Sequence, residues 1–350
     1  MMNHSPDIRT QPLLTDRHPL VDAFGRVHTD LRVSVTDRCN IRCRYCMPID
    51  VTFKPREELL TYAEIVRVVS VAAQLGVRSV RLTGGEPLVR RDLHQLIREL
   101  RRVDGIDEVA LTTNGLLLGE QAGPLADAGL SRVNVSLDSL RDETFRYIAR
   151  SEGLSQVLAG LAEAKRVGLQ GIRLNAVSIR GLTEADVVPL ARFARSEGFQ
   201  LRFIEFMPLD ADRQWSQPQV LSGREVRGML EEAFGALEPV PVHDGGQPAV
   251  DYRYTDAGGD AVGSLVGFID PVTQPFCERC DRLRLTADGQ FRNCLFSTEE
   301  WDVRRLLRDG GDDAAVANLM RACVAEKKAA HGIGTPSFER PERAMYQIGG

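Results

Sequence analysis

Short apolar runs of strand length alternate with helical patterns between residues 31 and about 208. The helical segment TYAEIVRVVSVAAQLG begins with a capping box formed by Thr61 and Glu64 and ends at Gly76. Six strand–helix units in series predict an α/β fold with a parallel sheet, which we expect to form a partial (βα)6 TIM-like barrel, because a closed barrel has eight units. A doubly wound sheet uses the same units and is the alternative. The predicted strands are 31–36, 77–83, 108–113, 131–138, 172–179 and 201–207.

Several of these strands alternate polar and apolar residues, which is unusual for a parallel sheet that is covered on both faces. The first strand places Arg32, Ser34 and Thr36 on one side, and the second places Arg81 and Thr83 on one side. This pattern predicts a barrel whose lumen binds a polar ligand, since a lumen packed with Val, Ile and Leu would not produce it. A sheet with one solvated face is the alternative.

After residue 208 the pattern changes to loops rich in proline and glycine and to short strands such as GSLVGFID. We therefore expect an N-terminal tail over 1–24, a barrel domain over 25–208 and a smaller C-terminal α+β domain or extension over 209–350. A chain of 350 residues with 43% hydrophobic residues is long enough for both domains. The first 30 residues lack the apolar core of a secretory signal, and no stretch has the length of a membrane span, so we expect a soluble cytoplasmic protein.

The charge balance limits the classes of partner. With 44 basic and 49 acidic residues the net charge is −5, so no general basic field exists to bind a nucleic acid. An anionic substrate would need a local cluster of arginines. In a reducing compartment the seven cysteines are expected to be metal ligands or buried thiols rather than disulfides.

The first cysteine motif, C-x3-C-x2-C, lies in SVTDRCNIRCRYCMP and contains Cys39, Cys43 and Cys46. It follows the first strand at its carboxyl end, where α/β folds place their sites. Three thiolates leave one iron of a [4Fe–4S] cluster without a protein ligand, and that iron can bind a small molecule. A zinc site with a distant fourth ligand is the alternative.

A second cysteine motif lies in PFCERCDRLRLTADGQFRNCLF, where Cys277, Cys280 and Cys294 again supply three thiolates. Arg282 and Arg284 lie two residues apart in a strand-like run, so both guanidinium groups point to one face. Paired arginines beside an open metal position indicate an anion or nucleotide site. A zinc ribbon completed by Cys323 or a histidine is the alternative; outside such a site Cys323 is expected to be a buried thiol.

The cysteine loop resembles that of the radical S-adenosylmethionine superfamily, because C-x3-C-x2-C with Tyr45 before its last cysteine follows the first barrel strand. The segment RLTGGEP at 81–87 is similar to the part of that superfamily which holds the methionine amino group of the cofactor. The resemblance implies a radical SAM-type barrel, a first [4Fe–4S] cluster on Cys39, Cys43 and Cys46, and S-adenosylmethionine beside it. The implied cofactor contacts are Tyr45, Gly85, Ser136 and Met207, with Thr83 and Glu86 as further candidates.

The whole set of motifs narrows the resemblance to the GTP 3′,8-cyclase family of molybdenum cofactor biosynthesis. The motifs are C-x3-C-x2-C, RLTGGEPLVRRDL, LTTNGLLL, NVSLD, RFIEFM, FCERCDRLRL and the terminal IGG. The resemblance implies a second, substrate-binding [4Fe–4S] cluster on Cys277, Cys280 and Cys294, and a tail ending in Gly349 and Gly350 that reaches the site. The implied GTP contacts are Arg32, Arg81, Thr112, Arg173, Arg202, Arg282, Leu283 and Arg284.

Two positions depart from what the family pattern implies. Arg173 stands where the family commonly has a lysine, and a guanidinium is broader than an ammonium group. Arg202 and Met207 cannot face the same side of one regular strand, so the sequence requires a bulge there or a backbone contact by Met207.

The implied reaction is cyclisation of GTP to (8S)-3′,8-cyclo-7,8-dihydroguanosine 5′-triphosphate. Its radical is carried by the 5′-deoxyadenosyl group of S-adenosylmethionine, so no side chain is expected to act as the catalytic group. The implied partners are GTP, an unidentified electron donor and a downstream enzyme that forms cyclic pyranopterin, with a homodimer as one option and no nucleic acid or membrane. The alternatives are a peptide-modifying radical enzyme and a non-catalytic zinc-binding protein.

Overall fold

The computed structural model describes residues 14–241, 246–255 and 264–349. The helices of these residues are α1 Tyr62–Gln74, α2 Leu93–Leu100, α3 Leu118–Asp127, α4 Asp142–Ala149, α5 Leu154–Arg166, α6 Glu184–Glu197, α7 Gly223–Phe234, α8 Val303–Arg308, α9 Asp313–Ala325 and α10 Met345–Ile348. The first six strands are β1 Asp30–Ser34, β2 Ser79–Thr83, β3 Glu108–Thr113, β4 Arg132–Ser136, β5 Arg173–Ser178 and β6 Gln200–Glu205. The others are β7 Leu237–Pro239, β8 Val250–Tyr254, β9 Leu265–Ile269, β10 Arg282–Leu285, β11 Gln290–Arg292 and β12 Trp301–Asp302.

Strands β1 to β6 lie side by side in chain order, and each pairs in parallel with the next. Each predicted strand overlaps one of them, with ends that differ by at most two residues. The predicted capping box of α1 is present, since Thr61 N–H donates to Glu64 at 2.7 Å and Glu64 N–H donates to Thr61 at 3.2 Å. The predicted α/β partial barrel is confirmed.

The C-terminal strands extend the same sheet at both edges instead of forming a separate one. The full order is β12-β11-β10-β1-β2-β3-β4-β5-β6-β9-β8-β7. Strand β10 pairs in parallel with β1, and β9 pairs in parallel with β6. The α+β extension is confirmed, while the boundary at 208/209 stays a prediction.

The alternating apolar and polar residues of the strands face the hydrophobic core and the barrel lumen, respectively. In β1, Leu31 and Val33 are fully buried in the main hydrophobic core. Arg32 has the opposite orientation, as successive residues of a strand do, and it lines a cavity within the barrel. Arg32 is only 8% exposed, so this polar face is enclosed and is not a solvated surface.

Residues 14–29 pack against the barrel at the amino end of β1. Leu20 is buried, and its N–H donates to the carbonyl of Leu75 at 3.1 Å. Arg26 donates to the carbonyl of Cys277 at 2.7 Å and to that of Lys328 at 2.9 Å. Of the predicted tail, residues 1–13 lie outside the described residues. No helix within the described ranges is long and apolar enough to cross a membrane.

Arg343 anchors the C-terminal segment to the turn between β10 and β11. It donates to both carboxylate oxygens of Asp288, at 2.9 and 3.0 Å, and to Glu300 at 2.7 Å. Burial alone would raise the pKa of Asp288, but Arg343, with smaller contributions from Thr286 and Lys54, outweighs burial and lowers the pKa to about 2. The stabilisation is therefore complete above the ordinary pKa of 3.8 and is lost only as the pH falls toward 2.

We expect Asp288→Asn to loosen this anchor by about 2 kcal/mol, because a charge-assisted pair is replaced by a neutral contact. Local opening of the segment should then be about thirtyfold more frequent, since 1.4 kcal/mol is tenfold. The rate of trypsin cleavage after Arg343 at neutral pH measures this opening, since Arg343 is followed by Ala344. The control is Asp309→Asn, which removes an exposed pair with Arg305. Equal cleavage of both variants would contradict the anchor.

Candidate active site

The two cysteine trios lie at opposite ends of the barrel lumen. Cys39, the first cysteine of its loop, follows the carboxyl end of β1. Cys280 lies two residues before β10, and β10 runs parallel to β1. Cys294 follows β11, which is antiparallel to β10. The second trio is thus at the amino end of the strands and the first trio is at the carboxyl end.

The carboxyl-end cavity collects the predicted cofactor contacts. It encloses about 1110 Å³, part of it open to solvent. The predicted residues that line it are Cys39, Cys43, Tyr45, Cys46, Thr83, Gly85, Ser136 and Met207. The structure therefore brings together the loop after β1, the carboxyl ends of β2 and β4, and the segment after β6.

Backbone contacts hold the cysteine loop in place. The N–H groups of Arg42 and Arg44 donate to the last carbonyls of α4, those of Ala149 and Ile148, at 3.1 and 3.0 Å. The Tyr45 hydroxyl donates to Asp138 at 2.8 Å. The last carbonyls of a helix have no hydrogen-bond donor within the helix. The cysteine loop supplies donors to these carbonyls, and the same bonds fix its position.

Gly84 and Gly85 are required for the packing of the cysteine loop against the end of β2. A Cβ on Gly84 would come within 2.4 Å of the Thr36 carbonyl, and one on Gly85 within 2.4 Å of the Arg38 carbonyl. Gly85 N–H also donates to Thr36 at 2.8 Å. The glycines therefore allow the end of β2 to lie directly against the start of the cysteine loop.

Glu86 lies behind the cavity wall. Its carboxylate accepts from Leu88 N–H at 2.9 Å, the Thr113 hydroxyl at 2.7 Å and Asn114 N–H at 2.7 Å. Burial raises its pKa to about 7, although these three bonds oppose the rise. With both oxygens occupied, Glu86 ties the end of β2 to the end of β3, and its placement does not favour the predicted role as a cofactor acceptor.

Each trio has the donor chemistry of an iron–sulfur site. Burial raises the pKa of Cys46 to about 12, so a metal is needed to hold it as a thiolate. Within the described ranges no three His, Cys, Asp or Glu side chains converge closely enough for a single metal ion. A [4Fe–4S] cluster binds each thiolate through a different iron atom, so its ligands need not converge on one point.

The amino-end cavity collects the predicted substrate contacts. It encloses about 1000 Å³, part of it open to solvent. The predicted residues that line it are Arg32, Arg81, Thr112, Arg202, Met207, Cys277, Cys280, Arg282, Arg284 and Cys294. Thr112 and Met207 also line the carboxyl-end cavity, so the two cavities adjoin each other.

The arginines of this cavity form a row across neighbouring strands. Arg284 lies opposite Arg32 in the β10–β1 pair, and Arg32 lies opposite Arg81 in the β1–β2 pair. Burial, followed by repulsion from Arg81, lowers the pKa of Arg32 to about 9, and burial lowers that of Arg81 to about 10. Both groups remain charged at neutral pH, so the row favours a bound anion.

Two arginines of this row, and Arg202 on β6, each have a nitrogen without a hydrogen-bond acceptor in the described part of the chain. The Nε atoms of Arg32, Arg81 and Arg202 are buried and have no hydrogen-bond partner within the described ranges. A buried donor without an acceptor costs about 1–3 kcal/mol. A polyanionic ligand would supply the missing acceptors.

Two predicted contacts are placed differently from the arginine row. The Leu283 side chain is fully buried on the outer face opposite Leu31, so only its backbone can meet a ligand. Arg173 shares the inward side of β5 with Asn175, but it lies at the first position of the strand, and its Nη1 is buried without a described partner. Arg173 is therefore near the amino end of the lumen, and its role stays a prediction.

The conflict between Arg202 and Met207 is resolved by the end of the strand. Strand β6 stops at Glu205, so Met207 lies beyond the alternation that governs Arg202. Glu205 accepts from the N–H groups of Val272 and Thr273 at 2.8 and 2.9 Å, which fixes the turn away from the strand. Met207 therefore lines the amino-end cavity together with Arg202 without a bulge.

The C-terminal segment reaches the arginine row. Arg284 donates to the Gly349 carbonyl at 2.7 Å. A Cβ on Gly349 would come within 2.4 Å of the Thr83 hydroxyl, so only glycine fits there without a shift. Gly350 lies outside the described residues. Cys323 is fully buried on α9 and belongs to neither trio.

Sequence reasoning missed several residues that line the cavities. Asn175 and Ile204 line both cavities, and Asn114 and Asp138 line the carboxyl-end cavity. Asn175 could have been found from its spacing to Arg173 on one strand, and Asp138 from its spacing to Ser136. Met345 also lines both cavities, and nothing in the sequence pattern indicates it.

Comparison with known proteins adds independent information. Residues 33–194 match the Radical SAM superfamily, and residues 199–333 match the family Molybdenum Cofactor Synthesis C. The chain is similar to GTP 3′,8-cyclase of Rhodopirellula baltica, with 49% identity over 339 residues that cover 96% of this chain and 94% of that protein. It is also 49% identical to GTP 3′,8-cyclase 2 of Mycobacterium tuberculosis over 334 residues, 95% of this chain and 92% of that one.

Among solved structures, Streptococcus suis SuiB bound to S-adenosylmethionine is similar with a TM-score of 0.60 and 14% identity. The match covers 93% of this chain and 76% of that one. At this identity the likeness concerns the fold alone, and it supports a barrel of the radical SAM type.

Because the trios lie at opposite ends of the lumen, we expect each to lose its metal independently. Cys46→Ser and Cys280→Ser should each halve the iron and acid-labile sulfide of the anaerobically reconstituted protein, since a [4Fe–4S] cluster held by three cysteines rarely survives with two. Cys323→Ser, at a buried cysteine outside both trios, is the control and should keep the full content. Complete loss of iron in either single variant would refute two separate sites.

Proposed function

The chain belongs to the GTP 3′,8-cyclase family within the radical S-adenosylmethionine superfamily, and on this basis we propose that it cyclises GTP to (8S)-3′,8-cyclo-7,8-dihydroguanosine 5′-triphosphate. The identity of 49% over 96% of the chain supports the proposal. The reaction is an early step of molybdenum cofactor biosynthesis, and the enzyme is a lyase that uses S-adenosylmethionine and two [4Fe–4S] clusters.

The observation that carries the proposal is a pair of adjoining cavities in the barrel, with a cysteine trio at each end and arginines between them. Thr112, Asn175, Ile204, Met207 and Met345 line both cavities and mark their junction. A cofactor beside the first trio and a nucleotide beside the second would therefore meet inside the barrel. A structural metal site would not need such a junction.

We assign the carboxyl-end cavity to S-adenosylmethionine and the first cluster. Cys39, Cys43 and Cys46 would hold the cluster, and Tyr45, Gly85, Ser136 and Met207 would contact the cofactor. When bound, these groups supply the one-electron chemistry that takes a hydrogen atom from C3′ of GTP, so that C3′ can bond to C8. Thr83 is a further candidate contact.

We assign the amino-end cavity to GTP and the second cluster on Cys277, Cys280 and Cys294. Arg32, Arg81 and Arg284 would bind the triphosphate, because their row carries charge without sufficient acceptors. Arg202, Arg282, Thr112 and the backbone of Leu283 would orient the nucleotide, and Arg173 would act where the family has a lysine.

The C-terminal segment would close the site, with Gly349 at Arg284 and Gly350 beyond it. The remaining proposals concern partners: an electron donor that reduces the first cluster, and a downstream enzyme that converts the cyclic nucleotide to a cyclic pyranopterin. We also propose a cytoplasmic location and a homodimer.

Anaerobic incubation of the reconstituted protein with S-adenosylmethionine, dithionite and GTP tests the function. We expect 5′-deoxyadenosine release that depends on GTP and a product with the mass of GTP. Cys294→Ser should keep the first cluster and form no cyclic product. Release of 5′-deoxyadenosine at the same rate with and without GTP would reject the substrate.

Arg81→Gln should raise the KM for GTP about 10- to 100-fold, because a charge-assisted contact to phosphate is worth about 1.5–3 kcal/mol. The affinity for S-adenosylmethionine should change little, since Arg81 lines only the amino-end cavity. The matched control is Arg78→Gln, which removes an exposed arginine just before the same strand. An unchanged KM in Arg81→Gln would remove this residue from the substrate site.

A further inference from the structure

Lys327 is a buried cation beside the second cysteine trio. It lies just beyond α9 and is 4% exposed, while its neighbour Lys328 is exposed. A lysine is rarely buried to this extent unless its ammonium group is fully paired. Each of the three N–H donors of Lys327 is therefore expected to have an acceptor.

Each donor of Lys327 has an acceptor. Its Nζ lies 2.9 Å from the carbonyl of Arg282, 3.0 Å from Nε2 of His28 and 3.5 Å from Sγ of Cys280. An ammonium group has three donors and no acceptor, so these contacts use its whole capacity. The group is thus held in one orientation, with one N–H directed at a cysteine sulfur.

The tautomer of His28 supports this orientation. His28 Nδ1 lies 3.1 Å from the carbonyl of Arg26, and because a carbonyl can only accept, Nδ1 carries the proton. Nε2 is then the acceptor that Lys327 requires. Burial lowers the pKa of His28 to about 4, so the ring is neutral at pH 7 and does not repel the ammonium group.

The contacts of Cys280 differ from those of the other cysteines. Its sulfur accepts from Lys327 and also from Nε of Arg282 at 3.4 Å, and both donors are cations. Cys294 accepts from the neutral N–H of Phe296 at 3.4 Å, and Cys39 from the neutral amide of Asn114 at 3.8 Å. Within the described ranges, Cys280 is thus the thiol with two cationic donors.

We propose that Lys327, acting through Cys280, sets the reduction potential of the second cluster at a more positive value than the trio alone would give. The inference rests on the proposed function, in which that trio holds a [4Fe–4S] cluster. Reduction adds one negative charge to the cluster and its thiolates, and a cation hydrogen-bonded to a ligand sulfur stabilises that charge. Lys327 touches neither GTP nor the reacting carbons in this account, so it is a positioning residue.

The test is an EPR-monitored redox titration of the full chain carrying Cys43→Ser, so that only the second cluster reports. We expect Lys327→Met to lower the equilibrium constant for one-electron reduction about tenfold, which is about 59 mV for a one-electron couple. Lys328→Met removes the same charge from the exposed neighbouring position and should leave the potential unchanged. A potential in Lys327→Met equal to that of Lys328→Met overturns the inference.

Iron and sulfide analysis of the same samples distinguishes a failure of the second-cluster assignment from a failure of the Lys327 proposal. If the Cys43→Ser protein with Lys327 intact holds no cluster, both the second-cluster assignment and the inference are wrong. If it holds the cluster and Lys327→Met does not, Lys327→Gln replaces it in the titration, because the amide is polar, neutral and still able to donate to Cys280. A lowered potential in Lys327→Gln supports the inference, and an unchanged potential or a lost cluster overturns it.

Discussion

The parallel pairing of β10 with β1 is the contact on which the arrangement of the site depends. It places Arg284 opposite Arg32 and continues the row to Arg81 across β2. Because Cys280 lies two residues before β10, the same pairing sets the second trio at the amino end of the lumen. Without this register the barrel would keep its first trio and lose the opposing one. Two motifs separated by more than 200 residues therefore form one site through backbone hydrogen bonds.

This arrangement buries like charges close together, since Arg32, Arg81 and Arg284 are each less than 10% exposed. Such burial is unfavourable unless the charges are paired, and the described acidic partners only partly pair them. Asp30 lies 3.8 Å from Nε of Arg32 and near Arg81, and these arginines lower its pKa below the ordinary value despite burial. Because the buried arginines lack enough acidic partners among the described residues, the site favours a triphosphate. This local excess of positive charge explains how a protein with a net charge of −5 can bind an anion. The same cations surround the second trio, whereas the carboxyl groups of Glu86 and Asp138 lie near the first.

The sequence predicted much of the fold because its patterns are local. Strand and helix periodicity, the capping box at Thr61 and the polar side of β1 each depend on residues a few positions apart. It could not predict where β6 ends, since the stop is made by Glu205 bonding to the backbone at 272–273. For the same reason the sequence does not predict the hydrogen bonds of Glu86, because Thr113 and Asn114, two of its three partners, lie at the end of β3.

The sequence by itself determined the chemistry of this protein: two trios of thiols at fixed spacing, glycines at a strand end and arginines at alternate strand positions. Each of these features depends only on residues close together in the sequence, so it can be identified before the fold is known. The tertiary structure decided which of them face one another, because distances between motifs depend on sheet order and register. It joined the two cavities at Thr112 and Met207 and brought the tail to Arg284. It also turned Lys327, an ordinary residue of a basic pair in the sequence, into a buried donor to Cys280.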